Sequence, residues 1–179
     1  NLGLMQNFHT SFKKNHAMEM GQAVRLLYTK LFLNFNSTFE GKHDNTIQNG
    51  RGIICIQEIV MIKNIYCYFK NNCESGLDVA DTNICIIHNS SFINGTASFG
   101  AAFYINKCQN LYIFNCYVIN NYVTDKGGGG FILEVEKSIV QNCVFKENIG
   151  YKGGALSFSI GICIIHNSSF INGTASFGA

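Results

Sequence analysis

The sequence has no proline and no tryptophan, and charged residues make up only 13% of its 179 positions. Asn, Ile, Phe, Tyr and Lys are common instead, a bias that AT-rich codons explain in part. Lysine and arginine together number 13, aspartate and glutamate 11, and neither sign forms a long run. This balance argues against a nucleic-acid partner and against a polybasic membrane-binding surface.

Long apolar runs are missing as well. No uninterrupted run of about 18 apolar residues occurs, so we expect no membrane-spanning segment. A hydrophobic content of 47% is nevertheless ample for a folded core and argues against a disordered chain. The chain starts at Asn1 without a signal-peptide pattern and stops at Ala179 inside a repeated unit. We therefore expect residues 1–179 to form a single segment that is a fragment of a longer chain.

Helical periodicity is the third absence. We find no capped segment of ten or more residues with apolar positions at three- and four-residue spacing. Short segments alternate between apolar and polar residues instead, as at Phe103 and Ile105 or at Phe131 and Leu133, and Gly and Asn separate them. This pattern predicts short strands joined by turns.

What the sequence does contain is a repeat. The eighteen residues ICIIHNSSFINGTASFGA occupy 84–101 and recur without change at 162–179. Recent duplication is our first explanation for the identity, and an error in assembling the sequence is the second. We call this segment the duplicated word and its first Phe the marker Phe. The marker Phe has counterparts 23 to 30 residues apart along the whole chain, at Phe12, Phe39, Phe69, Phe92, Val118, Phe145 and Phe170.

A unit of this size with two or three short strands buries an apolar face only when it stacks on its neighbours. The sequence therefore predicts an all-β fold, a right-handed parallel β-helix (solenoid) of about seven coils with about 25 residues each. Equivalent residues of successive coils then lie one above another at about 4.8 Å.

One column of the repeat is rich in asparagine. Asn tolerates the left-handed turn conformation, and its amide donates a hydrogen bond to one neighbour while it accepts one from the other. We predict an inward-facing asparagine ladder, interrupted by His9 and Tyr66, at Asn36, Asn89, Asn115, Asn142 and Asn167.

Two short motifs accompany the repeat. Phe12-Lys13-Lys14-Asn15 precedes Gly21-Gln22-Ala23-Val24, and Phe145-Lys146-Glu147-Asn148 precedes Gly153-Gly154-Ala155-Leu156. These segments resemble the FxxN and GGA[ILV] repeats of the chlamydial polymorphic membrane protein family, and large protist surface proteins have similar repeats. The resemblance implies a β-helical region at the cell surface with a role in adhesion. Elsewhere the motif departs from the pattern, since Val118 replaces the Phe and Phe92-Ile93-Asn94 is one residue short.

Catalysis on a β-helix, as in pectin-degrading enzymes, needs carboxylates clustered on one face. Asp78 and Asp81 are close in sequence, but we find no acidic residue at an equivalent position in a neighbouring coil and interpret both as solvated turn residues. His88 and His166 lie in matching copies three coils apart, too far to share a metal. We therefore expect no catalytic residue, no metal site and no cofactor.

The eight cysteines and the glycosylation sequons complete the candidates. Cys85 and Cys163 are three coils apart, and Cys116 and Cys143 occupy a column of small residues. We expect the cysteines to be buried free thiols.

Sequons occur at Asn36, Asn89, Asn94, Asn167 and Asn172. The glycosylation candidates are Asn94 and Asn172, which sit in a turn after the marker Phe, and then Asn36.

These features favour a non-catalytic structural or adhesive segment of an extracellular or cell-surface protein. We expect it to act through lateral or end-to-end association with other subunits or with the remainder of a longer chain, and glycans are a further candidate partner. The alternative is a carbohydrate-active, pectin-lyase-like enzyme or a glycan-binding module on the same fold.

Overall fold

The computed structural model describes residues 3–13, 23–41, 53–159 and 161–178. All regular structure in these ranges is β-strand, and none of it is a helix long and apolar enough to cross a membrane. The strands are β1 (Leu4–Phe8), β2 (Ser11–Lys13), β3 (Val24–Leu27), β4 (Leu31–Phe35), β5 (Thr38–Glu40), β6 (Ile54–Ile65), β7 (Tyr68–Lys70), β8 (Leu77–His88), β9 (Ser91–Ile93), β10 (Thr96–Phe99), β11 (Phe103–Phe114), β12 (Tyr117–Ile119), β13 (Tyr122–Lys126), β14 (Gly130–Gln141), β15 (Val144–Lys146), β16 (Ile149–Lys152), β17 (Leu156–Ser159), β18 (Ile162–His166), β19 (Ser169–Ile171) and β20 (Thr174–Phe177).

The strands form three parallel sheets along the axis of the solenoid. A nine-stranded sheet follows the order β1-β4-β6-β8-β11-β14-β17, with β3 paired to β6 and β18 to β14. A seven-stranded sheet runs β2-β5-β7-β9-β12-β15-β19, and a four-stranded sheet runs β10-β13-β16-β20. The predicted all-β parallel β-helix is therefore confirmed. The seven-stranded sheet takes one strand from each coil, so its seven strands span about six turns, close to the seven coils predicted.

Each turn bends at corners where one residue adopts a left-handed conformation. In the coil that starts at Phe103, the corner residues are Lys107, Asn115, Asn120 and Gly127, with φ between 53° and 69°. The long strands β6, β8, β11 and β14 each contain such a corner, so each runs along two sides of the solenoid. Because every coil bends at equivalent residues, the side chains between the corners align in columns.

The core consists of these inward columns, and the marker phenylalanines form one of them. The rings of Phe39 and Phe69 are 4.8 Å apart and within 11° of parallel, and those of Phe69 and Phe92 are 4.7 Å apart. All three are buried. Val118 interrupts the stack, and Phe103 from the neighbouring sheet places its ring 5.9 Å from Phe92, edge-on at 76°. The aromatic column is therefore interrupted at Val118, and Phe103 covers the ring of Phe92 on that side.

Candidate functional site

The predicted asparagine column lies at an outer corner of the solenoid. All five residues have positive φ, from 45° to 54°, as do His9 and Tyr66 in the same column. Asn36, Asn115, Asn142 and Asn167 are exposed and Asn89 is half-buried. The expectation that the column faces inward is wrong, because four of its five side chains are exposed to solvent and none is buried.

The side chains of this outer column are partly hydrogen-bonded to one another. The amide of Asn167 donates to Oδ1 of Asn142 at 2.7 Å, and Asn142 donates to Oδ1 of Asn115 at 3.1 Å. Asn115 contacts Nε2 of His88 at 3.2 Å instead of continuing to Asn89. The line of bonded amides therefore stops one coil short of Asn89.

A second outer corner carries another asparagine column, which includes two of the glycosylation candidates. Asn94 donates to Oδ1 of Asn71 at 3.3 Å and accepts from Asn120 at 2.9 Å. Asn172, in the identical copy of the word, is exposed. The third candidate, Asn36, contacts His9 Nδ1 at 2.9 Å. All three occupy left-handed corners, and their glycosylation stays a prediction.

Buried asparagine stacking does occur, in two columns that we did not predict. Asn34 donates to Oδ1 of Asn64 at 2.6 Å, and Asn64 donates to the hydroxyl of Ser90 at 3.2 Å. In the other column, the amide of Asn121 donates to Oδ1 of Asn148 at 3.0 Å. Asn148 also accepts from the main-chain N–H of Asn121 and donates to the carbonyl of Val118.

The FxxN motif was the signal for the second buried column. Its final Asn corresponds to Asn72, Asn121 and Asn148, which are all buried. In the shortened copy Gly95 takes this place and donates its N–H to Oδ1 of Asn121 at 2.8 Å. The motif therefore places an amide inside the coil, where it satisfies main-chain groups of the neighbouring coil.

The acidic residues are placed differently from our expectation. Asp78 is only 4% exposed, so it is not a solvated turn residue. Asp81 is exposed at the corner within β8, and the strand register aligns it with Glu58 in β6. Lys107 and Glu134 continue the same column. An acidic residue thus does occupy the equivalent position in a neighbouring coil, contrary to the sequence interpretation.

The outer column of Glu58, Asp81, Lys107 and Glu134 alternates in charge at Lys107, which separates the acidic residues. In the described part of the chain, no group of three or more His, Cys, Asp or Glu is arranged to hold a metal ion. His88 and His166 belong to β8 and β18, which β11 and β14 separate.

Cys67, Cys85, Cys108, Cys116, Cys143 and Cys163 are free thiols. Of the eight cysteines, all except the half-buried Cys163 are buried. Burial raises the pKa of Cys67 and of Cys108, each to about 11. Cys116 and Cys143 stack in the small-residue column, and their mutual hydrogen bond, together with burial, raises the pKa of Cys116. Buried thiols with a raised pKa are poor nucleophiles, which favours a packing role for Cys67, Cys108 and Cys116. The same hydrogen bond lowers the pKa of Cys143.

A groove beside the outer asparagine column forms a recess on the side of the solenoid. Its volume is about 410 Å³. Its lining residues are Asn89, Ser91, Asn115, Tyr117 and Asn142. A second recess of about 410 Å³ lies at the last described coil and includes Leu156, Ile165 and Phe170. The first recess is polar and the second is mainly apolar, so the two suit different partners.

Comparisons with known proteins give one partial match. A stretch of 89 residues, 48% of this chain, is 36% identical to metabotropic glutamate receptor-like protein R of Dictyostelium discoideum. The match spans only 5% of that protein's length. No family model matches the chain, and no solved structure matches it. The likeness to the chlamydial repeats therefore stays a prediction.

Proposed function

We propose that the chain is a non-catalytic structural or adhesive segment of an extracellular or cell-surface protein, and that it associates with other subunits through its sides or its ends. The observation that carries this proposal is that the buried amides of Asn64 and Asn148 form hydrogen bonds between neighbouring coils. Polar side chains used in this way build a rod with regular faces.

The apolar surface of the last described coil supports its coverage by a further coil, which either another subunit or the remainder of a longer chain would supply. Phe170 stacks on Phe145 at 5.0 Å and is 45% exposed on its other side. Phe12 stacks on Phe39 at 4.8 Å at the opposite end of the same column. A second rod placed end to end would continue both the ring stack and the parallel strand pairing.

The cell-surface location draws on the partial relative. That protein is named receptor-like, and the FxxN resemblance implies a surface location independently. Both observations favour an extracellular location. Only the similarity of this segment is carried over from the relative, and not the activity of that protein.

Sedimentation of matched charge variants tests the association. Phe170 is 45% exposed at an end and Tyr151 is 47% exposed on a side. If association is end to end, F170K gives a smaller assembly and Y151K leaves it unchanged; the reverse result identifies a lateral contact. A wild-type chain that stays monomeric at every concentration contradicts the proposal.

The second candidate, a carbohydrate-active enzyme, is favoured by the alignment of Glu58 with Asp81 and Lys107 in one exposed column. The main chains of neighbouring coils are about 4.8 Å apart, close to the separation of about 5 to 5.5 Å between the two carboxyl groups of retaining glycosidases. If the wild-type chain hydrolyses a polysaccharide and E58Q and D81N each abolish that activity, the enzymatic function is established and the structural one is refuted.

A further inference from the structure

We propose that the groove lined by Asn89, Ser91, Asn115, Tyr117 and Asn142 is a binding site for a neutral sugar chain. This inference rests on the adhesive role proposed above and names the class of ligand that the segment would bind. It is carried by three properties of the groove: free amide capacity, a notch beside an exposed aromatic ring, and the absence of charge from the lining.

The amides of the groove have hydrogen-bonding capacity left over. An Asn side chain offers two N–H donors and two acceptor lone pairs. Asn142 uses one donor toward Asn115 and accepts one bond from Asn167. Asn89 makes no side-chain hydrogen bond to any described residue, although it is half-buried. The groove thus offers unused amide donors and acceptors in successive coils, which suits adjacent sugar hydroxyls.

The notch is formed by a small residue between two large ones. Ser91 pairs in register with Tyr68 on one side and with Tyr117 on the other. The two tyrosines are therefore two strand spacings apart, about 9.6 Å between main chains. Tyr117 is 52% exposed. A tyrosine ring offers an apolar face and a polar tip, so the C–H face of a sugar ring can pack against it while the hydroxyls meet the amides.

The lining residues of the groove favour a neutral sugar chain over a charged one. None of its five residues is Lys, Arg, Asp or Glu. A charged sugar entering the groove would lose hydration without gaining an ion pair. We therefore expect uncharged hexose or N-acetylhexosamine chains to bind better than uronates.

The duplicated word supplies an internal control. Asn167 and Ser169 repeat Asn89 and Ser91, but Ser169 pairs with Val144 where Ser91 has tyrosines. The same peptide sequence therefore occurs once with the aromatic notch and once without it.

The test replaces the serine of each copy. S91Y fills the notch and continues an outward tyrosine column in register, so the fold is expected to tolerate it. S169Y makes the same chemical change at the copy without the notch. Each change removes one sequon, that of Asn89 in S91Y and that of Asn167 in S169Y. The proteins are produced in a host that attaches no N-glycans, and thermal unfolding checks that each is folded.

Binding of cellohexaose, chitohexaose and hexagalacturonate is measured by calorimetry. We expect the wild-type chain and S169Y to bind at least one of the two neutral oligosaccharides, and S91Y to bind it more than about tenfold more weakly. Y117A should lose about three- to tenfold through the missing ring contact. Failure of both neutral probes to bind, tighter binding of hexagalacturonate, or equal binding by S91Y and S169Y overturns the inference.

Sedimentation of the same variants separates this inference from the proposed association. If S91Y changes the assembly state and no sugar binds, the notch is a protein contact and the sugar site is refuted. If sugar binds and the chain never associates, the sugar site stands and the association through sides or ends fails.

Discussion

The ring of Phe103 fills the space that a side chain on Gly130 would need. The two residues pair in register between β11 and β14. A Cβ built on Gly130 would overlap Cε2 of Phe103, and Phe103 is fully buried. The glycine is required here by packing, since its φ lies outside the left-handed region.

We expect G130A to destabilise the protein by about 1 to 3 kcal/mol through overpacking. The matched control is G173A, because a Cβ there has its nearest neighbour at 3.7 Å. Urea unfolding measures both. F103L combined with G130A should recover part of the loss, and a G130A protein as stable as G173A would contradict this account.

Restoring the marker phenylalanine at Val118 is expected to destabilise the protein. The repeat pattern alone suggests that V118F improves the aromatic stack. In the structure Phe103 already occupies part of that space, and Val118 Cγ1 lies 2.8 Å from a Cβ built on Gly129. We expect a loss of about 1 to 3 kcal/mol in the free energy of unfolding. A gain in stability would show that the column had room for the larger ring.

Asn148 and Asn142 should respond differently to truncation. N148A leaves the N–H of Asn121 and the carbonyl of Val118 without their partner, which costs about 2 to 4 kcal/mol. N142A forces alanine into a φ of 54°, which costs about 1 to 2 kcal/mol.

The glycine variant N142G separates the two possible roles of Asn142. If the corner conformation is what matters, N142G keeps most of the stability. If N142G loses as much as N142A, the amide bonds of the outer column are the stabilising feature. Chemical denaturation of the three variants decides between them.

The buried thiols predict a loss of stability at high pH. Burial raises the pKa of Cys67 and Cys108 to about 11, above the usual 9.0. Between these values the unfolded chain loses protons that the folded chain keeps, so stability falls as pH rises through this window. Urea unfolding at about pH 8 and about pH 10 measures the change. The double variant C67S, C108T should show a smaller loss, and an equal loss would assign the effect to other groups.

Much of the fold could be predicted because a solenoid repeats its requirements. The marker Phe recurs in every coil except that of Val118, and the small residue two positions before it recurs in all of them, so strand, core and coil number follow from spacing. The direction of the asparagine column could not be predicted in this way, since outward corners and inward bends favour Asn for the same conformational reason. The column of Glu58 and Asp81 was hidden because their corner has no fixed residue type: Tyr28 and Lys107 also occupy it.

The corner residues also bear on how such a chain can grow. Each coil contains the residues that bend it, so a copied coil folds back onto the stack without help from distant sequence. The second copy of the duplicated word illustrates this, because β18, β19 and β20 pair in register with β14, β15 and β16. Insertion or loss of whole coils would lengthen or shorten the rod while every remaining column keeps its alignment. Gene duplication can therefore change the reach of this protein without redesigning its core.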